Sequence, residues 1–416
     1  MIVAAAEDSE SRAPDVNGVS LVRAINQQLV LEAVLAAGEV TRAGLSRETG
    51  LSKPTVSSLV RSLERCGLVR RQGVQAGTIG RPATVYTVDR LAGHTYAVDL
   101  GGTKLRAAVT DLFGEILAEE TVPTPPGHGQ RVIDTIGAVY AALARRAGVE
   151  PEAATAACIG VPGVVRPADS EIDSAFNIPG LDGFPLRDAL CDRLAMSVVV
   201  ENDANLAAVG ERWRGHGRGC DHFVAISIGT GIGMGIVVDG ELYRGGSGGG
   251  GEIGFLPVVG DPFDPANKTH GPLEHAAASA GVRRRLTELL ARHPASRLTA
   301  AATVKDIFAA ADEGDPLGTR LVDEEARLIA LGVAAVGAVI DPRRVVLSGG
   351  IGANTRLLEP VRDYLTQLLP HPPDVKVSSL GDRASLYGAI ALAVDRMRQK
   401  VLQPRGEAAT AAGGPG

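Results

Sequence analysis

The feature that most constrains this chain is an order of elements that occurs twice. Residues 96–118 read as a strand (Tyr96–Asp99), a Gly/Thr turn, a second strand (Leu105–Asp111), a short turn at Phe113–Gly114 and a third strand. Residues 223–243 repeat it: Phe223–Ser227, a Gly-rich turn, Gly235–Val238, a turn at Asp239–Gly240 and a further strand. Short apolar runs bounded by glycine read as buried strands. Two such units in one chain predict two similar lobes facing one another. Helices are expected near 131–147, from Asp203, and at 276–293, 318–340 and 384–398, with strands at Ala156–Ile159, Val198–Val200 and Val345–Leu347. Alternating strands and helices predict an α/β body with ligands in the cleft between its lobes.

The 416 residues are too many for one small recognition module and suit two or three domains. Cys66, Cys158, Cys191 and Cys220 lie far apart, which excludes a disulfide scaffold and any CxxC zinc knuckle. No apolar run of ~20 residues occurs, and the first 20 residues carry four acids and one Arg. The expectation is a cytoplasmic protein without membrane contact. The formal charge of -6 is unevenly spread. Residues 21–90 hold ten Lys/Arg against five acids, a net +5, in front of an acidic body. A basic segment alone raises nucleic-acid binding only modestly.

That segment has its own pattern. Ile25, Leu29 and Ala33, beside Val30 and Val34, form a helix ending near Gly38. Thr41 can cap a short helix holding Leu45 and stopped at Gly50. Ser52 can cap a third, with Pro54 in its first turn and Val56, Leu59, Val60 and Leu63 on one face. Leu68 to Tyr86 reads as two strands around a Gly-rich turn. This is a winged helix-turn-helix, which places its second helix in a DNA major groove. Lys53, Thr55, Ser57, Ser58 and Arg61 fall mostly off the apolar face and are the candidate DNA contacts. Arg81, between Gly80 and Pro82, suits insertion into a minor groove. A helical cap on an enzyme, or a protein-binding helix pair, would share the pattern.

In the body, DLGGTK (Asp99, Gly101, Gly102, Thr103, Lys104) offers backbone donors, a hydroxyl and a cation to a phosphate, and a carboxylate to Mg²⁺. GTGIGMG, containing Gly229, Thr230 and Gly231, is a second such turn. Asp203, in ENDAN at a strand end and helix start, could take a proton from a sugar hydroxyl. The alternatives are that Asp203 caps a helix and the glycines make tight hairpins.

With DLGGTK, GVPG (160–163), NIPG (177–180), ENDAN (201–205), GTGIGMG (229–235), GEIG (251–254), LE (273–274) and LSGG (347–350), the span from about 21 to 398 resembles the ROK family of sugar kinases and sugar-responsive transcriptional regulators. The resemblance implies an actin-like, ribonuclease H-like sugar-kinase body preceded by a winged helix-turn-helix domain. Residues 1–20 and 401–416, whose ends are rich in Ala, Gly, Pro and acids without an apolar period, are expected to be disordered tails, flanking a DNA-binding domain (21–90) and a body (91–400). The first lobe would be 91–205 plus helix 384–398, and the second about 206–383. The resemblance maps sugar contacts onto Asn177, Asn202, Asp203, Glu252 and Glu274, the catalytic Asp onto Asp203, and the adenosine end onto Gly349 and Gly350. The family's zinc-binding His and three Cys align with Phe255, Pro265, Asn267 and Pro272, so zinc is expected to be absent. Phe255 also replaces a polar sugar contact, so specificity should differ.

The expected function is a DNA-binding regulator, a repressor in the first instance. It would bind a palindromic operator as a homodimer and answer to a carbohydrate or related metabolite, with no cofactor required. The short connection at Asp89–Leu91 would let lobe closure reposition the DNA domain. The alternative is a sugar kinase using ATP and Mg²⁺.

Overall fold

The computed structural model describes residues 18–75, 82–127, 129–150, 154–166, 171–173, 178, 180–181 and 183–402. The chain divides into two compact units, one of residues up to 93 together with those from 397, the other His94–Arg396.

In the first unit, α1 (Gly18–Ala37) precedes β1 (Val40–Thr41), α2 (Arg42–Thr49), α3 (Lys53–Arg65), β2 (Val69–Gln75) and β3 (Ala83–Val88). The caps are those the sequence predicts. The Thr41 side chain accepts from Gly44 N, Gly50 closes α2 in the left-handed conformation, and the Ser52 side chain accepts from Thr55 N. Val56, Leu59, Val60 and Leu63 bury one face of α3, and a buried hydrogen bond from Gln27 Nε2 to Ser62 Oγ (2.9 Å) ties α1 to it. Thr41 is a cap and also, with Val40, a short strand. This pair, which periodicity missed, extends the β2–β3 hairpin to three strands in the order β1-β3-β2.

The second unit contains two five-stranded sheets. The first lobe runs β4 (His94–Leu100), β5 (Lys104–Thr110), β6 (Ile116–Pro123), α4 (Gly129–Ala147), β7 (Ala154–Val161), a small hairpin β8 (Val164–Val165) and β9 (Ile172–Asp173), α5 (Leu186–Leu194), β10 (Ser197–Asn202) and α6 (Asp203–Arg214). The second runs β11 (Phe223–Ile228), β12 (Ile232–Val238), β13 (Glu241–Tyr243), α7 (Asn267–His270), α8 (Pro272–Ala277), α9 (Ser279–Leu290), α10 (Val304–Asp312), α11 (Pro316–Ile340), β14 (Arg344–Ser348), α12 (Gly349–Gly352), α13 (Leu358–Leu368), β15 (Asp374–Val377) and α14 (Ala384–Leu402). The helix expected at 276–293 is therefore two. Gly281 lets them turn sharply, because a Cβ there would collide with the carbonyl of Ala276.

The sheets have orders β10-β7-β4-β5-β6 and β13-β12-β11-β14-β15. In each, the first strand pairs antiparallel with the second and parallel with the fourth. The repeated element order is thus a repeated topology. Apolar cores lie under α4 and α5 in the first lobe, and under α8, α9, α10, α11 and α13 in the second. Two helices, α6 and α14, cross to the other lobe's sheet. α14 follows the second lobe's last strand, yet Leu386, Ala389, Ile390 and Ala393 pack with Ala97, Ala108 and Cys158 of the first lobe's sheet. α6 follows the first lobe's last strand, yet Ala208 packs with Phe223, Ala225 and Val346 of the second. The two helices touch backbone to backbone. A Cβ on Gly210 would strike the Ala384 carbonyl, and one on Gly388 the Leu206 carbonyl.

Candidate functional site

In the first unit, α3 turns Lys53, Ser58 and Arg61 to solvent, with Thr55 and Ser57 half-buried. Thr55 is partly engaged in the cap, its hydroxyl 2.7 Å from Ser52 Oγ. Arg71 is neutralised by Glu64 at 2.8 Å, and Arg42 lies 3.8 Å from the same carboxylate. Among the described residues, Lys53 and Arg61 have no ion-pair partner, and Arg65 on α3 and Arg70 on β2, which sequence reasoning did not single out, are further exposed cations of the unit. Arg81 lies outside the described residues, as does Asn177 in the second unit.

In the second unit, β10 delivers ENDAN to the start of α6. Glu201 is buried and held by Arg244 Nε (2.7 Å) and Asn205 Nδ2 (2.9 Å). The Asn202 side chain accepts from Asn205 N (3.0 Å) and donates to Gly163 O (2.9 Å), so most of its amide serves the scaffold. Asp203 is then fixed at the first turn of α6, its carbonyl accepting from Ser385 Oγ (2.9 Å). Asp203 keeps an edge open, but the protein packed around it strips away water. Burial, then the neighbouring Asp99, push its carboxyl up to about 7, with Glu252 adding to the effect. Burial also raises Asp99 to about 6, against the pull of Arg106 and Lys104. Glu252 is raised by burial and by Glu274. Asp99, Asp203, Glu252 and Glu274 therefore form one electrostatically coupled group.

The glycine turns surround it. Gly101 N donates to Lys104 O (3.0 Å) and Gly229 N to Gly231 O (2.9 Å). These two amides close tight hairpins, so donors for a phosphate must come from neighbours in each turn. Gly229 lies against Gly350, whose amide N would be 3.5 Å from a Cβ at Gly229. Gly349 has φ +82° and no room for a side chain against the Ile228 backbone. Glu274 accepts from Ile232 N (2.7 Å) and meets His270 Nδ1 (3.1 Å). Its helix is braced from behind, since Arg285 donates to the Ala276 carbonyl and to buried Glu325. Asp382 bonds Lys104 at 2.9 Å and pairs with Arg106. Glu201, Arg244, Arg285 and Asp382 escaped sequence reasoning. Only Glu201 stood in a motif.

Phe255 is 48% exposed. It, Pro265, Asn267 and Pro272 offer no thiolate or imidazole, and the zinc of the family does not fit them. The loop is held by its own polar groups: Asp261 accepts from Phe263 N (3.0 Å), Asp264 from Ala266 N (2.9 Å), and Asn267 donates to Asp261 O (2.8 Å). Among the described residues, no group of three or more His, Cys, Asp or Glu side chains is placed to hold a metal ion. A groove of about 380 Å³ lined by Arg297, Leu298, Ala302, Asp306, Ala310 and Glu313 shares no residue with the coupled carboxyls. No described helix is long and apolar enough to cross a membrane.

Comparison with known proteins separates the two units. Residues 95–396 match the ROK family. The chain belongs to the ROK family. Ahead of this ROK body, residues 24–77 match the MarR family, so the fold is a ROK body with an N-terminal winged helix domain. A glucokinase of Halalkalibacterium halodurans is 33% identical over 70% of this chain and 92% of its own. The xylose repressor of Caldicellulosiruptor bescii is 26% identical over 91% of this chain and 97% of its own. The crystal structure of a ROK family transcriptional regulator, a homolog of the E. coli MLC protein, superposes with a TM-score of 0.74 at 24% identity, covering 92% of this chain and 98% of that one, and shows the shared fold.

Proposed function

We propose that this ROK protein is a sequence-specific DNA-binding transcriptional regulator, a repressor whose operator affinity responds to a carbohydrate or related metabolite. One observation carries the reading. The repressor relative spans the head and the body, whereas the glucokinase matches a share of the chain no longer than the body. The exposed Lys53 and Arg61 supply the cations a major-groove helix needs, with Ser57 and Ser58 small enough to let the backbone approach phosphates. Glu252, Glu274 and Asp203 are suited to accept sugar hydroxyl hydrogen bonds, with Asn202 and Phe255 beside them in the chain's own motifs. The protein acts as a cytoplasmic homodimer on a palindromic site, the effector changing the spacing of its two heads through the short linker at Asp89–Leu91.

The experiment is a mobility shift on the protein's own promoter region at low and high salt. Binding should fall steeply with salt, and Lys53→Ala with Arg61→Ala should weaken it and reduce the salt slope by about 2. No shift at low salt, with or without sugars, overturns the reading.

A second reading is favoured by Asp203, whose carboxyl near 7 suits a general base at neutral pH. As a sugar kinase, the chain would use Asp203 to accept the sugar hydroxyl proton and the Gly102–Lys104 and Thr230–Gly231 turns to hold phosphates. Bound ATP with Mg²⁺ would supply the phosphoryl group. Asp99, in the DLGGTK turn, is the carboxylate that would meet the cation, and among the described residues no group of three or more His, Cys, Asp or Glu side chains is placed to hold a metal ion by itself. ADP release over a sugar panel decides between the readings.

A further inference from the structure

The cation of the DLGGTK turn, Lys104, and its neighbour Arg106 on β5 are already occupied by an anion of the chain itself. Lys104 Nζ lies 2.9 Å from Asp382 Oδ2, and Arg106, only 10% exposed, donates to the same carboxylate and to the Asp382 carbonyl. Asp382 sits in a short turn, Gly381–Arg383, that joins the second lobe's last strand to α14, and it is separated from Lys104 by 278 residues. Burial opposes its charge, but the hydrogen bonds from Lys104 and Arg106 hold its carboxyl below the usual range. It is therefore a carboxylate at neutral pH and competes with Asp99 for the same two cations.

We propose that Asp382 is a built-in substitute for a ligand phosphate at the 99–104 turn, and that a phosphate-bearing ligand binds there by displacing it. The inference rests on the reading of that turn as a phosphate seat. It adds a gate that the turn alone does not possess. A phosphate carries more charge than a carboxylate and can bond both cations together, so exchange is electrostatically feasible. The gate is also a lever. Gly381 has φ +59°, Arg383 pairs with Glu119, and Ser385 holds the Asp203 carbonyl, all within five residues of Asp382. Releasing Asp382 removes one of the ties between the start of α14 and the first lobe, beside the Ser385 bond to the residue that carries the central carboxyl. Tyr387, one turn further on, lies 6.5 Å from the ring of Trp213 and 5.1 Å from the Arg383 guanidinium.

The test is a titration of the full chain with pyrophosphate, followed by Trp213 fluorescence and by calorimetry. Asp382→Asn should bind about tenfold more tightly than the native chain, as expected when a charge-assisted competitor is removed. Its fluorescence change on binding should be smaller, because the turn is already released. The double variant Asp382→Asn with Lys104→Ala should lose the gain. An unchanged urea midpoint for Asp382→Asn shows that the body still folds. Equal or weaker binding by Asp382→Asn, with Lys104→Ala weakening both backgrounds, overturns the gate and leaves the phosphate seat standing. Failure of every variant to bind pyrophosphate overturns both.

Discussion

The coupled carboxyls make Asp203→Asn a stabilising substitution whose benefit depends on pH. In the unfolded chain Asp203 ionises near 3.8, and in the folded body near 7. Between those values the folded protein keeps a proton that the unfolded chain has released, so rising pH favours unfolding. Below the lower value the cost vanishes, and above the upper it is complete. A shift of about three units at ~1.36 kcal/mol each sets a ceiling of ~4 kcal/mol. The open edge of Asp203 admits water and screens the charge, so ~1–2 kcal/mol is the working expectation. Asn keeps an oxygen for the backbone N–H groups of Asp203 and Ala204 and removes only the charge. Urea unfolding at several pH values between about 4 and 8 measures this. The chain has one tryptophan, Trp213 on α6, so its fluorescence follows the body alone. The two proteins should match near pH 4 and diverge as pH rises, Asp203→Asn being the more stable at pH 8. A stability difference that does not change across this range would show that Asp203 is already ionised, and the burial argument would fail.

Two other substitutions test the scaffold. Gly388→Ala drives a methyl group into the Leu206 carbonyl and should cost ~2–4 kcal/mol, read as a lower urea midpoint by Trp213 fluorescence. Gln27→Ala removes the donor to buried Ser62 and should take ~1–2 kcal/mol from the first unit, seen as faster amide exchange in α1 and α3 while the salt dependence of DNA binding stays the same.

What could be read from the sequence was local. Thr41, Ser52, Gly38 and Gly50 punctuate the head because caps and left-handed turns need particular residues at particular positions. The doubled strand–turn–strand order was legible for the same reason, and with it the two-lobed body. The junction of β10 and α6 followed from ENDAN. What escaped depends on partners distant in sequence. Nothing near Asp382 announces Lys104, and nothing near Glu201 announces Arg244. The Val40–Thr41 strand was hidden because two residues have no period. The break at Ala278 was hidden because the clash that Gly281 avoids exists only once α8 and α9 are folded.

The exchange of α6 and α14 sets an order on the birth of the molecule. The face of the first sheet formed by Ala97, Ala108 and Cys158 is synthesised early, yet its covering helix α14 is made only after every strand of the second lobe. Until then that face stays uncovered, and the first lobe cannot complete its core. Nascent chains stalled anywhere before Ala384 should therefore hold a first sheet that sticks to chaperones, and a stop that removes α14 would harm the lobe built first.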